Sequence, residues 1–155
     1  MIIADAIELR EVSEREEFMK MAERHFRELN PNFVPAGDWL RHYFDNIKKN
    51  PQYSLCWISV EGRRSGFVLS GVEDHRFLAR TNACIYELYI VPEYRRRGIA
   101  RQCAKLVLEE LWKTSPAKIQ LEVMAGNEPA ARLWTSLGFE KVSERYVLAR
   151  KTRTQ

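Results

Sequence analysis

The chain has 155 residues, of which 45% are hydrophobic and 30% charged, a composition typical of a soluble, single-domain globular protein. A chain of this length buries enough surface to fold without metal or disulfide crosslinks, and no apolar stretch approaches the roughly 18 residues of a membrane span. Its net charge of +4 suits an anionic partner such as a phosphate-bearing cofactor, but it falls short of the basic patch of a dedicated nucleic-acid binder.

The first third of the chain predicts one strand and two helices. Residues 6–12 alternate like an opening strand, and Ser13-Glu14-Arg15-Glu16 matches a capping box before residues of helical period. Asn30-Pro31 ends that helix, because proline disfavours helical geometry in the residue before it. Asp38 is predicted to N-cap a second helix, which Asn50-Pro51 stops.

The residue pattern in the middle of the chain is typical of β-strands. The runs Tyr53–Val60 and Gly66–Val72 are joined by Glu61-Gly62-Arg63-Arg64, which is typical of a hairpin. Residues Ala83–Val91 are apolar on both faces except for Glu87, as in a strand that is buried on both sides. We therefore expect this strand to lie inside the sheet.

The last third predicts alternating helices and strands in the overall order β-α-α-β-β-β-α-β-α-β-β. We expect a mixed α/β fold in one domain, with a six- or seven-stranded sheet and about four helices. The remaining predicted elements are a helix over about Gly98–Trp112, a strand over Lys118–Met124, a helix opened by Asn127-Glu128-Pro129 and capped by Gly138, strands over Phe139–Val142 and Arg145–Ala149, and a frayed tail over Lys151–Gln155.

The strongest functional signal is the basic turn after the buried strand. Pro92-Glu93-Tyr94 ends the strand, Arg95-Arg96-Arg97 follows, and the small residues Gly98 and Ala100 stand where a helix begins. The unpaired N–H groups of a helix's first turn attract anions, and small residues let a phosphate approach the backbone. Composition alone leaves two interpretations open, a phosphate site and an ordinary helix start with solvated arginines.

Two segments resemble signature blocks of the GNAT superfamily of N-acetyltransferases. Arg95-x-x-Gly98-x-Ala100, after a strand end of the form Val-Pro-x-Tyr, fits the family pattern Gln/Arg-x-x-Gly-x-Gly/Ala. The predicted element order fits the family fold to about Arg150, so the resemblance implies a mostly antiparallel sheet that splays between its fourth and fifth strands. The second block matches at Asn127, Ala130, Ala131, Leu133 and Leu137-Gly138-Phe139.

The resemblance implies an N-acetyltransferase that uses acetyl-CoA and no metal. The turn would hold the CoA pyrophosphate, and the pantetheine arm would pair with the preceding strand like an added strand. Asn127 would contact that arm, although its sequence also suits a plain helix N-cap. The residues implied to contact the cofactor are Leu88, Tyr89, Ile90, Val91, Arg95, Arg96, Arg97, Gly98, Ile99, Ala100, Arg101, Asn127, Ala130 and Trp134.

Transfer to an amine near pKa 10 requires a base at neutral pH, because such an amine is mostly protonated there. Glu87 is the first candidate, since desolvation in a buried strand raises the pKa of a carboxyl toward the useful range. The alternative role for Glu87 is a structural ion pair with a neighbouring arginine. Glu122 is the rival base, because Leu121-Glu122-Val123 resembles the segment where protein N-terminal acetyltransferases place one; an exposed, solvated glutamate is its other interpretation.

The general acid is the point at which the sequence departs from the family. Trp134 stands where the family commonly has a tyrosine, and an indole N–H has no usable acidity near neutral pH. Tyr146 and Tyr89 are the candidates to protonate the departing thiolate, unless CoA leaves without a proton. The resemblance also implies that a backbone N–H near Ile90 polarises the acetyl carbonyl.

For the acceptor, the sequence favours a small polyamine- or aminoglycoside-like cation over a protein N-terminus or lysine. The family builds its acceptor wall from the first two helices, so their aromatic residues are candidates for it and are core residues otherwise. Glu73 and Asp74 would favour a cation if they face the cleft, and His25 is expected in the core or lining the cleft. The aromatic candidates are Phe33, Trp39, Tyr43 and Phe44.

Several expectations concern compartment and partners. Cys56, Cys84 and Cys103 are odd in number and far apart, so we expect no disulfide framework or zinc site and a cytoplasmic protein. The start, Met1–Ile7, has neither the basic region nor the apolar core of a signal peptide.

We expect a homodimer that binds no nucleic acid or membrane. An acyl-CoA-binding module with little turnover is the second hypothesis, and a nucleic-acid-binding domain that uses the arginine-rich turn ranks last.

Overall fold

The computed structural model describes residues 7–151. The predicted strand start at Ala6 and the tail beyond residue 151 therefore lie outside the described residues. The chain divides after Glu122 into two compact units, which we call unit 1 and unit 2. The single domain expected from the sequence stays a prediction.

Unit 1 is a sheet with helices packed against it. The strand order is β1-β2-β3-β4-β5, with antiparallel pairing throughout except for the parallel pair β4 and β5. This confirms the predicted mixed, mostly antiparallel sheet and the interior place of the fourth strand. Its elements are β1 Ile7–Glu11, α1 Arg15–Leu29, α2 Trp39–Lys49, β2 Tyr53–Val60, β3 Arg63–Asp74, β4 Thr81–Ile90, a 3₁₀ turn over Pro92–Tyr94, α3 Ile99–Trp112 and β5 Ile119–Leu121.

The core of unit 1 centres on an aromatic cluster under α1 and α2. Phe18 is fully buried, and its ring lies 5.1 Å from that of Phe67 on β3 and 5.6 Å from that of Phe44 on α2. A separate set of buried residues on α3 packs against β1, β3 and β4, so helices cover the sheet on both faces. No helix within residues 7–151 has the length and apolarity needed to cross a membrane.

The predicted capping box at the start of α1 is wrong. The helix begins at Arg15 with Glu14 at its N-cap, and no side chain caps its amides. The Glu14 carboxylate instead accepts a hydrogen bond from Trp57 Nε1 on β2 at 2.9 Å and pairs with Arg64 on β3 at 2.8 Å. Because these long-range partners hold Glu14 against the sheet, the helix starts one residue later than the local pattern predicts.

Glu14→Gln is expected to lower the melting temperature at neutral pH. The hydrogen bond from Trp57, aided by Arg64, lowers the pKa of Glu14 from 4.5 to about 2. A carboxyl with a lowered folded-state pKa stabilises the fold above pH 4.5, and this contribution disappears as the pH falls to about 2. Melting curves across this range should show the difference between wild type and variant shrinking. Glu17→Gln, at an exposed site on the same helix, is the matched control; a difference that stays constant with pH contradicts the assignment.

Unit 2 is built on one helix, α4, over Glu128–Ser136. The Asn127 side chain accepts a hydrogen bond from the Ala130 N–H at 3.3 Å, so the predicted N-cap is confirmed. Gly138 has a φ of 98° and donates its N–H to the Thr135 carbonyl at 3.0 Å, which confirms the predicted C-terminal cap.

The two strands predicted after α4 are wrong. Residues 139–151 contain no strand, and the sheet of the described residues has five strands rather than six or seven. Val142, Tyr146 and Leu148 are 87–101% exposed. Alternation of apolar residues makes a strand only where a neighbour pairs with its backbone groups, and periodicity does not supply that neighbour. The fifth strand is also shorter than predicted, ending at Leu121.

Candidate active site

A bulge shapes the second half of β4. Leu69 of β3 pairs with Glu87 and Ser70 pairs with Ile85, so Tyr86 is an extra residue on β4. Such a bulge re-aims side chains. Both bulge residues accordingly lie on the side of α1 and α2, where Tyr86 packs against the aromatic core and Glu87 contacts His25.

The pairing between β4 and β5 stops early. It covers Ala83–Ile85 with Ile119–Leu121, and the β4 residues beyond Ile85 pair with β3 alone. The Val91 N–H donates to the Ser65 carbonyl of β3. Because the N–H and C=O groups of successive residues point to opposite sides of a strand, those of Ile90 point away from β3, toward the other edge of β4. That open edge corresponds to the predicted splay, and an extended chain can add to it.

The turn from β4 to α3 carries unpaired backbone amides. Arg96 and Gly98 both have left-handed backbone conformations, with φ of 63° and 74°. Within residues 7–151, the amides of residues 96–100 have no protein acceptor. Consecutive amides around left-handed residues form a concave nest for anions. A non-glycine residue in this conformation, such as Arg96, costs about 1–3 kcal/mol, and such strain clusters at functional sites.

The space beside these amides is open. A Cβ placed on Gly98 would meet no atom within 4 Å. The first turn of α3 adds the partial positive charge of a helix N-terminus. Open amides, open space and positive potential together fit a diphosphate group.

The arginines of the turn differ in what they contact. Arg95 donates Nε–H to the Ile90 carbonyl at 2.8 Å and pairs with Glu28 of α1 at 2.6 Å. Its guanidinium therefore serves to fasten the turn to the fold. The Arg97 guanidinium lies 5.2 Å from the centre of the Tyr94 ring, and Arg96 is exposed beside the open amides.

Residues of α1 within about one helical turn of each other contact both the loop between β4 and α3 and strand β4 itself. Arg24 pairs with Glu93 at 3.1 Å, just before the arginine run, and Glu28 holds Arg95. Between them, His25 reaches Glu87 on β4. The same helical turn thus positions the predicted base and the predicted phosphate turn.

The partner of Glu87 is a histidine rather than the arginine considered from the sequence. His25 Nε2 lies 2.6 Å from Glu87 Oε2, and the two side chains are 9% and 25% exposed. The imidazole also packs against the rings of Phe26, Phe67 and Tyr89, with centroids 4.9–5.7 Å apart. The position of His25 on the apolar face of α1 indicated burial correctly, but its partner lies 62 residues away and had no sequence signal.

Aromatic residues of α1, α2 and their loop form a continuous wall. The rings of Trp39 and Tyr43 are stacked with centroids 5.3 Å apart, and Phe26 and Phe33 extend the group. Burial and then the Glu87 charge raise the pKa of Tyr43 above its usual value. Phe44, the fourth predicted member, lies in the core instead.

A second carboxylate joins the aromatic residues at the bulge. The Tyr86 hydroxyl donates a hydrogen bond to Glu73 of β3, and the Tyr53 ring lies 5.4 Å from that of Tyr86. Burial and Glu73 raise the pKa of Tyr86. β3 therefore extends to Asp74, beyond the strand end predicted at Val72, and brings Glu73 into the sheet.

The candidate acids and the rival base differ in burial and in the unit that carries them. Burial raises the pKa of Tyr89, whose hydroxyl has no hydrogen-bond partner within the described residues. Tyr146 of unit 2 is exposed and donates to Glu144 at 3.0 Å. Trp134 of unit 2 is buried, with its ring 5.4 Å from that of Phe139. Glu122 is exposed at the end of unit 1. Their catalytic or cofactor roles stay predictions.

Comparison with known proteins identifies a family and several relatives. The model of the acetyltransferase (GNAT) family matches residues 16–139. An uncharacterised N-acetyltransferase of Methanocaldococcus jannaschii is 25% identical over 132 residues, which cover 81% of this chain and 56% of that protein. The [ribosomal protein bS18]-alanine N-acetyltransferase of Escherichia coli K12 is 35% identical over 110 residues, 71% of this chain and 70% of that protein. The chain thus spans little more than half the length of the first relative.

Solved structures share the fold at low sequence identity. A transcriptional regulator from Bacillus halodurans C-125 superposes with a TM-score of 0.77 at 19% identity, covering 94% of this chain and all of that one. An aminoglycoside acetyltransferase from an uncultured soil metagenomic sample gives 0.71 at 15% identity, covering 94% of this chain and 96% of that one. At such identities the likeness shows the fold alone.

Proposed function

Because this chain belongs to the acetyltransferase (GNAT) family, we propose that it transfers the acetyl group of acetyl-CoA to a primary amine. The family match assigns it to the N-acetyltransferases, and acetyl-CoA supplies the acetyl group as an activated thioester. The observation that carries the proposal is the row of unpaired amides at residues 96–100 beside the open space at Gly98.

The chain's own groups account for binding of the donor. The amides of residues 96–100 bind the diphosphate, and the exposed Arg96 and Arg97 add electrostatic attraction. The open edge of β4 over Leu88–Val91 pairs with the amide groups of the pantetheine arm. The Ile90 N–H on that edge donates to the acetyl carbonyl oxygen, where negative charge develops during attack. Asn127, Ala130 and Trp134 remain proposed cofactor contacts from unit 2.

Glu87 is the proposed general base. It accepts a proton from the acceptor amine, directly or through water, as the new C–N bond forms and the thioester C–S bond breaks. The CoA thiolate then takes a proton from solvent or from a tyrosine, so every proton is accounted for. The structure supports this role for Glu87 through its position at the bulge, its partial burial and its contact with the helical layer that carries the aromatic wall.

The acceptor we favour is a small cationic amine. Two carboxylates, Glu73 and Glu87, accompany aromatic rings of α2, β2 and β4 on one side of the sheet. Carboxylates attract a cation by their negative charge, and the faces of aromatic rings attract it by their quadrupole. This combination suits a polyamine- or aminoglycoside-like molecule with more than one ammonium group.

A protein N-terminus is the second candidate. The E. coli relative at 35% identity is an alanine N-acetyltransferase of a ribosomal protein. An α-amino group has a pKa of about 7.7–8.0, so it needs less help from a base than an amine near 10. In that case Glu122, which directly follows β5, is the rival base.

An acceptor panel separates these candidates. Acetylation of spermidine, an aminoglycoside and a peptide beginning with alanine is measured by thiol release and product mass. We expect kcat/KM for the cationic small molecules to exceed that for the peptide about tenfold or more, because the loss of even one buried charge contact costs over 1 kcal/mol. Glu73→Gln should raise KM for the cations and leave the affinity for acetyl-CoA unchanged.

Each other outcome of the panel has a definite meaning. Preference for the peptide supports the second candidate. Binding of acetyl-CoA without acetylation of any amine supports the acyl-CoA-binding module and contradicts the proposed transfer.

Two further proposals concern the protein's setting. We propose that the protein forms a homodimer and that it is cytoplasmic. All three cysteines are free thiols, two of them buried, which supports a reducing compartment. Light scattering at known protein concentration tests the dimer.

A further inference from the structure

His25 and Glu87 form a close pair between the first helix and the interior strand. Their 2.6 Å separation between Nε2 and Oε2 requires a shared proton, and both side chains are largely removed from water. Within residues 7–151 the second carboxylate oxygen, Oε1, has no hydrogen-bond partner. The pair therefore fixes one oxygen of Glu87 and leaves the other available.

Aromatic rings from three elements pack against the imidazole of the pair. Phe26 comes from α1, Phe67 from β3 and Tyr89 from β4, and the Phe26 ring in turn packs against Tyr43 of α2. Beyond them, the ionisable groups nearby include Tyr53, the Tyr86–Glu73 hydrogen bond, and Arg24 and the Arg95–Glu28 pair near Tyr89. Within residues 7–151, the side chain within hydrogen-bond distance of the Glu87 carboxylate is that of His25.

We infer that His25 is a positioning residue for the proposed base. It donates Nε2–H to Oε2 of Glu87, holds the carboxylate in one orientation and leaves Oε1 to take the proton of the acceptor amine. The inference rests on the proposed function, in which Glu87 is the base. Nothing in this role requires His25 to touch the acceptor or the donor.

Removal of the donor has a predictable physical consequence. A carboxylate among aromatic rings without a hydrogen-bond donor is poorly solvated, so its charged form is disfavoured relative to the neutral acid. The base is then protonated over a wider range of pH and is held in more than one rotamer. Catalysis should fall, and the acidic limb of the pH–rate profile should move to higher pH.

The test compares His25→Phe with His25→Gln. Phenylalanine keeps an aromatic ring in the pocket but removes the donor, and we expect kcat to fall about 10- to 100-fold, by analogy with groups that orient the ligands of a metal site. The acidic limb should shift upward while the KM for acetyl-CoA stays constant. Glutamine places an N–H close to the position of Nε2, so it should restore most of kcat and the wild-type limb.

Two controls separate positioning from general support of the fold. Phe18→Leu truncates a fully buried ring of the same helix that packs against the core rings of Phe67 and Phe44, so it should lower the melting temperature and leave the pH–rate profile in place. In a Glu87→Gln background, His25→Phe should lower kcat no further, because its partner is already gone. An unshifted limb in His25→Phe, or an undiminished effect in the Glu87→Gln background, overturns the inference.

A measurement independent of turnover distinguishes this inference from the proposed function. In wild type, NMR should show an imidazole N–H signal of His25 that exchanges slowly with water, and Glu87→Leu should lose it. A signal absent from wild type or unchanged in Glu87→Leu overturns the pairing. If wild type acetylates no amine, the proposed function fails and the role of His25 toward a base fails with it, whatever the NMR shows; the NMR then reports on the pair alone.

Discussion

Replacement of Gly98 by glutamate is expected to abolish the stabilisation that CoA gives to the wild-type protein. At a CoA concentration about 100 times its Kd, wild type should gain about 2.7 kcal/mol, or about 5–10 °C in melting temperature for a chain of this size. Glutamate at position 98 would fill the open space beside the amides with a negative charge that repels a diphosphate. Thermal denaturation with and without CoA measures the effect.

Gly62→Glu is the matched control for the strain that this change introduces. Gly62 has a φ of 75°, close to the 74° of Gly98, and a Cβ there also meets no atom within 4 Å. It lies in the β2–β3 turn, where no part of the proposed site is placed. Both variants should lose similar basal stability, and Gly62→Glu should keep the full CoA shift. An equal CoA shift in Gly98→Glu would remove the donor site from this turn.

Glu87→Gln is expected to lower kcat by about 10²- to 10⁴-fold, the usual contribution of a general base. Glutamine keeps the shape of the side chain but cannot accept the amine proton, so the acidic part of the rise of rate with pH should disappear. The affinity for acetyl-CoA should be unchanged, because the Glu87 side chain lies on the face of β4 that α1 covers, whereas the unpaired amides lie in the turn after β4. Initial rates over a pH series, together with titration of acetyl-CoA, provide the measurements.

Glu122→Gln is the companion variant, because it tests the rival base. We expect it to retain the pH–rate profile of wild type. If it loses the acidic rise and Glu87→Gln keeps it, the base is Glu122 and the β4 carboxylate has a structural role. That result would also favour the protein N-terminus as acceptor, since Glu122 was identified from its likeness to that class of enzyme.

The helix α1 links these two predictions. Arg24 and Glu28 pair with residues of the proposed phosphate turn, and His25, between them on the same helical turn, pairs with the proposed base Glu87. Because the ion pairs of Arg24 and Glu28 are exposed, they contribute little to the stability of the fold. Their role is therefore to position residues, since a helix is stiff enough to keep the proposed donor turn and the proposed base at a constant separation.

Much of the framework was predictable from the sequence because local chemistry determines it. Hydrophobic periodicity located the helices and the interior strand, and Asn127 and Gly138 marked the ends of α4. The turn around Gly98 was predictable because left-handed conformation and close backbone approach select glycine. These features depend on residues within a few positions of one another.

The tertiary structure alone decided the features that join distant residues. The bulge at Tyr86 turns two consecutive side chains toward the helices, Trp57 and Arg64 draw Glu14 out of its predicted helix, and His25 meets Glu87 across 62 positions. The absent terminal strands belong to the same class, since a strand exists only when a partner pairs with it. Pairing and burial are properties of the packed chain, and periodicity constrains which face of an element is apolar but not which residue that face will meet.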